Sequence, residues 1–255
     1  MILDDLQQEN VMPYNKKYNY YVQIEGLGRY LFALDFLQSK NLKSVLDVGC
    51  YNGFGCAILA EKAESVMGID ISKRFISQAN KNLEKTNFTN VTYKQLDITT
   101  QDIEGDKKFD LITCFDTLAH IQDDGAVVDK LYNLLSDDGY ILAALPNERF
   151  EPIKPDGTSA VPRHKHFYTP NEAKKLFTDR KFVVEDRLGQ AISNVLLNIE
   201  HFVIRKYEYP ERRIKSFYSY QKDQMRYFAR LMGYPNVKYL DDSYVTFLVL
   251  KKKKK

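Results

Sequence analysis

The chain has 255 residues, of which 44% are hydrophobic and 28% are charged. This length and composition are typical of one globular domain with an elaboration, and they exclude the disordered and fibrous classes. The formal charge of +3 arises from the five lysines at 251–255, and the rest of the chain is close to neutral. No nucleic-acid partner is therefore expected, and we interpret the lysine run as a disordered tail.

The cysteines, the apolar runs and the N-terminus indicate the cellular location and whether a structural metal is expected. Cys50, Cys56 and Cys114 lack the number and spacing of a disulfide framework or a zinc site, so we interpret them as small core residues. No apolar run approaches the roughly 18 residues of a membrane span, and the acidic N-terminus does not resemble an export signal. We predict a cytoplasmic protein without a membrane span.

The first predicted element is a helix within an N-terminal extension at residues 1–40. Apolar residues between Tyr21 and Leu37 recur at helical spacing, although Gly26 and Gly28 weaken the pattern. Six β-rich segments then alternate with helical patterns up to about residue 190, and a seventh lies near the end: 44–48, 66–69, 91–96, 110–115, 140–145, 182–186 and 244–250. This alternation predicts a Rossmann-like α/β fold, doubly wound around a mostly parallel seven-stranded sheet.

Two helical stripes lie between these strands. One follows Ser72, which we expect to be its N-cap, and the other runs from Val127 to Leu135. Residues 147–170 are rich in proline and irregular, as lid loops are. Residues 191–235 form a tyrosine-rich helical insertion before the last strand, expected either to cap the active site or to form a homodimer surface. All of this belongs to one domain spanning 1–255.

A glycine-rich turn follows the first strand in the segment VLDVGCYNGFG, with Asp47 at the strand's end and Gly49 and Gly53 in the turn. Glycine lets backbone and ligand approach closely there. The second strand ends in Asp70, where a carboxylate can accept hydrogen bonds from both ribose hydroxyls of an adenosine. The G-x-G-x-x-G pattern of dinucleotide sites would need glycine where Tyr51 and Phe54 stand, which disfavours NAD.

These motifs together resemble the class I S-adenosylmethionine-dependent methyltransferases, in the branch that modifies small molecules and glycans. LDVGCYNGFG is similar to the family's first motif, GIDIS to the second, LDI to the third and FDLITCFDTLAHI to the fourth. LLSDDGYILAALPN and HFYTPNEAKKLF resemble the elements that follow, and GLGRYLFA one that precedes. The resemblance covers roughly residues 25 to 190 and implies S-adenosylmethionine as cofactor and an antiparallel last strand.

The resemblance also implies which residues hold the donor. Asp47 and Gly49 would contact its methionine end, Asp70 the ribose and Asp97 the adenine amino group. The other residues placed around the donor by the resemblance are Gly53, Ile71, Ile98, Phe115 and Arg29. Two positions depart from the family pattern: Tyr51 stands where glycine is common, and Ala119 where glutamate usually precedes histidine.

Methyl transfer to a hydroxyl needs a general base, and histidine is the usual one because its pKa lies near 6.5. His120, just past the fourth strand, is the first candidate, and His164 and His166 in the lid loop are the next. Asp116 and Asn147 are two scattered oxygen ligands and do not make a hard-metal site, so no metal is expected.

The leading hypothesis is O-methylation of a small polar acceptor such as a sugar, a nucleotide-sugar or a surface-glycan precursor. The alternatives are a methyltransferase for a quinone, lipid or aromatic metabolite, a donor-binding protein without turnover, and an NAD-linked oxidoreductase.

Overall fold

A computed structural model of the protein describes residues 20–150, 163–190, 226–227, 229–236 and 243–254. Five α-helices and seven strands occur in these ranges. The helices are α1 (Tyr20–Ser39), α2 (Phe54–Leu59), α3 (Lys73–Leu83), α4 (Asp124–Leu134) and α5 (Pro170–Thr178). The strands are β1 (Ser44–Val48), β2 (Ser65–Asp70), β3 (Val91–Gln95), β4 (Phe109–Phe115), β5 (Leu135–Pro146), β6 (Phe182–Gln190) and β7 (Val245–Lys252).

The seven strands form one sheet in the order β3-β2-β1-β4-β5-β7-β6. The pairs from β3 to β5 are parallel, whereas β7 runs antiparallel to both of its neighbours, β5 and β6. The predicted fold class is therefore confirmed, including the antiparallel last strand. The strand order reverses between β1 and β4, and in open α/β sheets ligands bind outside the carboxyl ends of the strands at such a point.

Alternate residues of the central strands enter two separate apolar clusters, because successive side chains of a strand point to opposite faces of the sheet. Val45 and Leu111 belong to one cluster, with residues of α1 and α2. Leu46 and Ile112 belong to the other, with residues of α4 and α5. The sheet is thus covered by helices on both faces, as its near-continuous apolar strands require.

Side-chain caps fix where several helices begin. The Ser72 hydroxyl accepts a hydrogen bond from the Phe75 N–H, as predicted, and Asp123 caps α4 in the same way. At α5, Thr169 and Glu172 form a reciprocal capping box ahead of a helix that begins with Pro170. Each of these caps satisfies backbone donors that the first helical turn leaves unpaired.

Helix α1 is confirmed, and Gly28 within it has a packing reason. A Cβ on Gly28 would lie 2.1 Å from the carbonyl oxygen of Gly233, and one on Gly233 would lie 2.2 Å from that of Ile24. The two backbones therefore touch where the turn Ala229–Gly233 crosses the helix. Only glycine permits so close an approach.

The structure corrects the end of the chain. Lys251 and Lys252 are not part of a disordered tail, because they continue β7 opposite Tyr140 and Phe182. The Lys252 ammonium lies 4.9 Å from the centre of the Tyr132 ring and 3.3 Å from an Asp137 oxygen. Their long side chains thus pack along the sheet while the charges stay near solvent or acidic partners.

Two predicted segments lie largely outside the described residues. Of the lid loop 147–170, the structure describes 147–150 and 163–170. Of the insertion 191–235, it describes 226–227 and 229–235. None of the helices in the described ranges has the length and apolar character needed to cross a membrane.

Candidate functional site

The glycine-rich turn is held against the end of β2 by its own backbone. The N–H groups of Gly49 and Cys50 both donate to the Ile69 carbonyl oxygen, at 2.9 and 3.0 Å. Gly49 and Gly53 have φ values of +77° and +82°, and Tyr51 has +54°. The last value lies in a region that few residues other than glycine adopt without strain.

Asp47 lies under this turn and supports it. The carboxylate is fully buried and accepts hydrogen bonds from the Tyr30 hydroxyl (3.0 and 3.1 Å), the Thr113 hydroxyl (2.6 Å) and the Cys56 thiol (3.3 Å). Burial raises its pKa to about 6, although these hydrogen bonds act in the opposite direction. Asp47 has no exposed surface in this structure, and its expected contact with the methionine end stays a prediction.

Asp70 and Ile71 stand together at the carboxyl end of β2. Asp70 is half-buried, and its two oxygens accept the N–H groups of Tyr51 (3.1 Å) and Ser72 (2.8 Å). A carboxylate has about four lone-pair positions, so two hydrogen bonds leave acceptors for ribose hydroxyls. The side chain of Ile71 is 64% exposed, which is unusual for a large aliphatic residue and suits contact with a flat ring.

Asp97 and Ile98 follow β3, the next strand outward. Asp97 accepts from both the N–H and the hydroxyl of Thr99, and the latter bond lowers its pKa. Its carboxylate is therefore fixed and ionised beside the end of β2. Ile98 instead lies in the core cluster with Leu96, so Ile71 is the better placed of the two isoleucines to touch a ligand.

Arg29 and Phe115 reach the same edge of the sheet from α1 and β4. The Phe115 ring meets the Tyr30 ring edge-on at 5.1 Å. Arg29 is buried, donates from Nε to Gln190 Oε1 at 2.6 Å, and forms an ion pair with Asp116. Sequence reasoning dismissed Asp116 as a metal ligand and gave it no other role. Its place directly after β4, beside a predicted site residue, was the available clue.

The three candidate bases lie in one region but not in one cluster. His120 ends the short helical turn Leu118–His120 after β4, and its ring centre is 4.8 Å from that of His164. His166 instead places Nε2 2.9 Å from the Gln122 carbonyl oxygen. The N–H groups of Lys165 and His166 both donate to the Ala119 carbonyl, which fixes this part of the lid segment against the turn that carries His120.

His120 has the electrostatics of a base. Its Nδ1 lies 3.1 Å from the Arg163 carbonyl oxygen, which can only accept a hydrogen bond. Partial burial lowers the pKa of His120 below 6.5. The contact with the carbonyl places the proton of a neutral imidazole on Nδ1 and its lone pair on Nε2.

The residues at this edge fit an adenosine-containing donor. The half-buried carboxylate of Asp70, the exposed aliphatic side chain of Ile71 and the glycine turn adjoin one another at the switch point of the sheet. In the described part of the chain, no three His, Cys, Asp or Glu side chains are grouped so that they could hold a metal ion.

Comparison with known proteins gives consistent matches. A family model described as a methyltransferase domain matches residues 39–201. The ubiquinone biosynthesis O-methyltransferase of Psychrobacter cryohalolentis is 27% identical over 161 residues, which are 58% of this chain and 62% of that protein. The chain thus spans less than two thirds of the length of this curated relative.

Two solved structures share the fold. An S-adenosylmethionine-dependent methyltransferase from Clostridium acetobutylicum has a TM-score of 0.59 at 15% identity, with 90% of this chain and 92% of that chain covered. The O-methyltransferase of a trans-AT PKS multienzyme from Brevibacillus brevis, in complex with S-adenosyl-L-homocysteine, has a TM-score of 0.57 at 17% identity, with 91% and 72% covered.

Proposed function

Because the chain belongs to the methyltransferase domain family, as its sequence predicts, and S-adenosylmethionine is the cofactor of that family, we propose that it methylates a hydroxyl group of a small-molecule acceptor. His120 is the general base in this proposal. The observation that carries it is the His120 imidazole in the short helical turn after β4, with Nδ1 3.1 Å from the Arg163 carbonyl oxygen.

When bound, the cofactor supplies an electrophilic methyl group on a sulfonium. The protein then has to position the acceptor and take its proton. In our proposal Asp70 holds the ribose hydroxyls, Ile71 and Asp97 face the adenine, and Gly49 and Gly53 let the backbone approach the donor. Phe115 forms part of the wall between the turn and α1.

His120 accepts the acceptor's hydroxyl proton at Nε2. With the proton of the neutral ring held on Nδ1 by the Arg163 carbonyl, Nε2 carries the lone pair, and the lowered pKa of His120 favours this neutral form. His164 packs against the ring and orients it, while His166 is engaged with Gln122 through Nε2. We therefore assign His120 the chemical role and the two lid histidines a positioning role.

Two classes of hydroxyl acceptor fit this reaction. The sequence favours a sugar, nucleotide-sugar or glycan precursor. The relative named a ubiquinone biosynthesis O-methyltransferase favours instead a hydroxyl on an aromatic ring, the second class that the sequence left open. Both are hydroxyl acceptors that a neutral histidine can deprotonate.

A panel assay separates the two classes. Purified protein is incubated with labelled S-adenosylmethionine and either phenolic quinone precursors or nucleotide-sugars, and methylated products are identified by mass spectrometry. Methyl transfer to oxygen in either class supports the proposal. If the protein binds S-adenosylmethionine but forms no S-adenosylhomocysteine with either class of acceptor, it is a binding protein without turnover.

The base is tested by His120→Asn. The asparagine amide nitrogen replaces Nδ1 and keeps a donor for the Arg163 carbonyl, but no group replaces Nε2. We expect kcat to fall by about 10²- to 10⁴-fold, the usual contribution of a general base. His120→Ala should regain activity with added imidazole. Asp137→Asn, at the amino end of β5, is the control. Wild-type activity in His120→Asn would exclude His120 as the base.

A further inference from the structure

The ion pair between Arg29 and Asp116 joins a buried cation to an accessible anion. The Arg29 side chain is 8% exposed and that of Asp116 is 45% exposed. Arg29 Nε is fixed by Gln190 Oε1, and Gln190 in turn donates to the Glu25 carbonyl oxygen at 3.0 Å. The guanidinium is therefore held in place from α1 and β6, and the carboxylate stands on its outer side.

Asp116 lies next to the glycine-rich turn. It is the first residue after β4, has φ +55°, and donates its N–H to the Ala144 carbonyl oxygen. The hydroxyl of the next residue, Thr117, donates to the Val48 carbonyl and lies 2.3 Å from where a Cβ on Gly49 would stand. Aspartate is one of the few non-glycine residues that adopt the left-handed region readily.

Asp116 is also the carboxylate at this turn that remains accessible. Asp47 is fully buried and receives three side-chain donors. Asp70 receives the Tyr51 and Ser72 N–H groups at the end of β2, the position proposed for the ribose. Asp116 is therefore the carboxylate beside the turn that is left to contact the other end of the donor.

The amino-acid end of the donor is a zwitterion, with an α-carboxylate and an α-ammonium on the same carbon. We propose that the Arg29–Asp116 pair binds this zwitterion, with the guanidinium of Arg29 on the α-carboxylate and the carboxylate of Asp116 on the α-ammonium. The inference rests on the proposed use of S-adenosylmethionine and adds Asp116 to its site.

The chemistry of the pair suits this role. A guanidinium has five N–H donors, and the hydrogen bonds to Gln190 and Asp116 use Nε and Nη1, so a planar carboxylate can be bound through others. A half-exposed carboxylate can accept a hydrogen bond from an ammonium group while it remains paired with the arginine. Each charge of the ligand then meets its opposite in a partly desolvated site, where such hydrogen bonds are strongest.

Three ligands measured by calorimetry separate the parts of this site. S-adenosylhomocysteine carries the whole zwitterion, its deamino analogue lacks only the ammonium, and 5′-methylthioadenosine lacks the amino-acid end. We expect Asp116→Asn to weaken the binding of S-adenosylhomocysteine by about 10-fold or more, as loss of a charged hydrogen bond does. The affinities for the other two ligands should stay within about twofold of wild type. Arg29→Gln should weaken the binding of S-adenosylhomocysteine and of the deamino analogue but not that of methylthioadenosine.

Asparagine is chosen at 116 because it tolerates a positive φ as aspartate does. Unchanged binding of S-adenosylhomocysteine to Asp116→Asn would overturn the proposal. Tighter binding would also overturn it, because it would mean that Asp116 only competes with the ligand for Arg29. Equal losses for all three ligands would show a structural role alone. Asp137→Asn should bind all three as wild type does.

The outcome does not depend on methyl transfer. If the wild-type protein bound none of the three ligands, the proposed function itself would fail. If it bound them but Asp116→Asn did not discriminate among them, only the assignment of Asp116 would fail.

Discussion

The backbone N–H of Tyr51 donates to the carboxylate of Asp70 over 3.1 Å, so the glycine-rich turn and the end of β2 are joined by the acid proposed to hold the ribose. In our proposal one carboxylate thus serves both the shape of the turn and the binding of the ligand.

Replacing Asp70 should therefore weaken donor binding without abolishing the fold. We expect Asp70→Ala to reduce the affinity for S-adenosylhomocysteine by about 1 to 3 kcal/mol, because hydrogen bonds to a charged acceptor are lost. Unlike Asp116→Asn, this change should weaken the binding of methylthioadenosine as much as that of S-adenosylhomocysteine, since both ligands carry the ribose. Equal affinity of wild type and variant in calorimetry would mean that the ribose is held by other residues.

The steric need for Gly49 can be separated from its backbone conformation. Gly49 and Gly105 have nearly the same φ, +77° and +80°, but a Cβ on Gly105 would meet nothing within 4 Å. We expect Gly105→Ala to lower the free energy of unfolding by about 1 to 2 kcal/mol, from the conformation alone. Gly49→Ala should cost more, because its Cβ would also collide with Thr117. Equal losses of unfolding free energy for the two variants in urea titrations would show that the Thr117 hydroxyl moves aside at no energetic cost.

The pair Gly26 and Gly28 gives a second matched comparison, within α1. A Cβ on Gly26 would lie 3.3 Å from the Phe54 ring, whereas one on Gly28 would lie 2.1 Å from the Gly233 carbonyl oxygen. Alanine is better than glycine inside a helix by about 1 kcal/mol. Gly26→Ala should therefore be neutral or stabilising, and Gly28→Ala should lower the thermal midpoint. Equal stabilisation of both variants would contradict the view that the contact with Gly233 requires glycine at position 28.

Activity should depend on pH through His120. The base must be neutral, so kcat/KM, which reports the ionisation of the free protein, rises with pH through the pKa of His120 and is level above it. Because partial burial lowers that pKa, the midpoint of this acid limb should lie below 6.5. His120→Asn should lack the limb. A profile with its midpoint above 6.5 would point to a different base.

Sequence periodicity predicted the strands and the Ser72 cap because those features depend on residues close together in the chain. Two features of the site did not follow from the sequence. The burial of Asp47 depends on Tyr30, Cys56 and Thr113, which come from three different elements. The pairing of Arg29 with Asp116 joins residues 87 positions apart. Such contacts arise only when the helix and the sheet pack together, and no local pattern records them.

The segment 147–170 illustrates a related difficulty. Its prolines indicated an irregular loop, but the hydrogen bonds from Lys165 and His166 to Ala119 are made by the backbone. Backbone groups are the same at every residue, so the sequence does not reveal which carbonyl they reach.

The place of β7 bears on how the protein is made on the ribosome. Among the strands of the described ranges, β6 pairs with β7 alone, and β7 enters the sheet between β5 and β6. During synthesis residues 182–190 therefore have no strand to pair with until residues 245–252 have emerged. Five strands can assemble early, but the last two must close together, and until then β5 and β6 expose edges on which chaperones or neighbouring nascent chains can act.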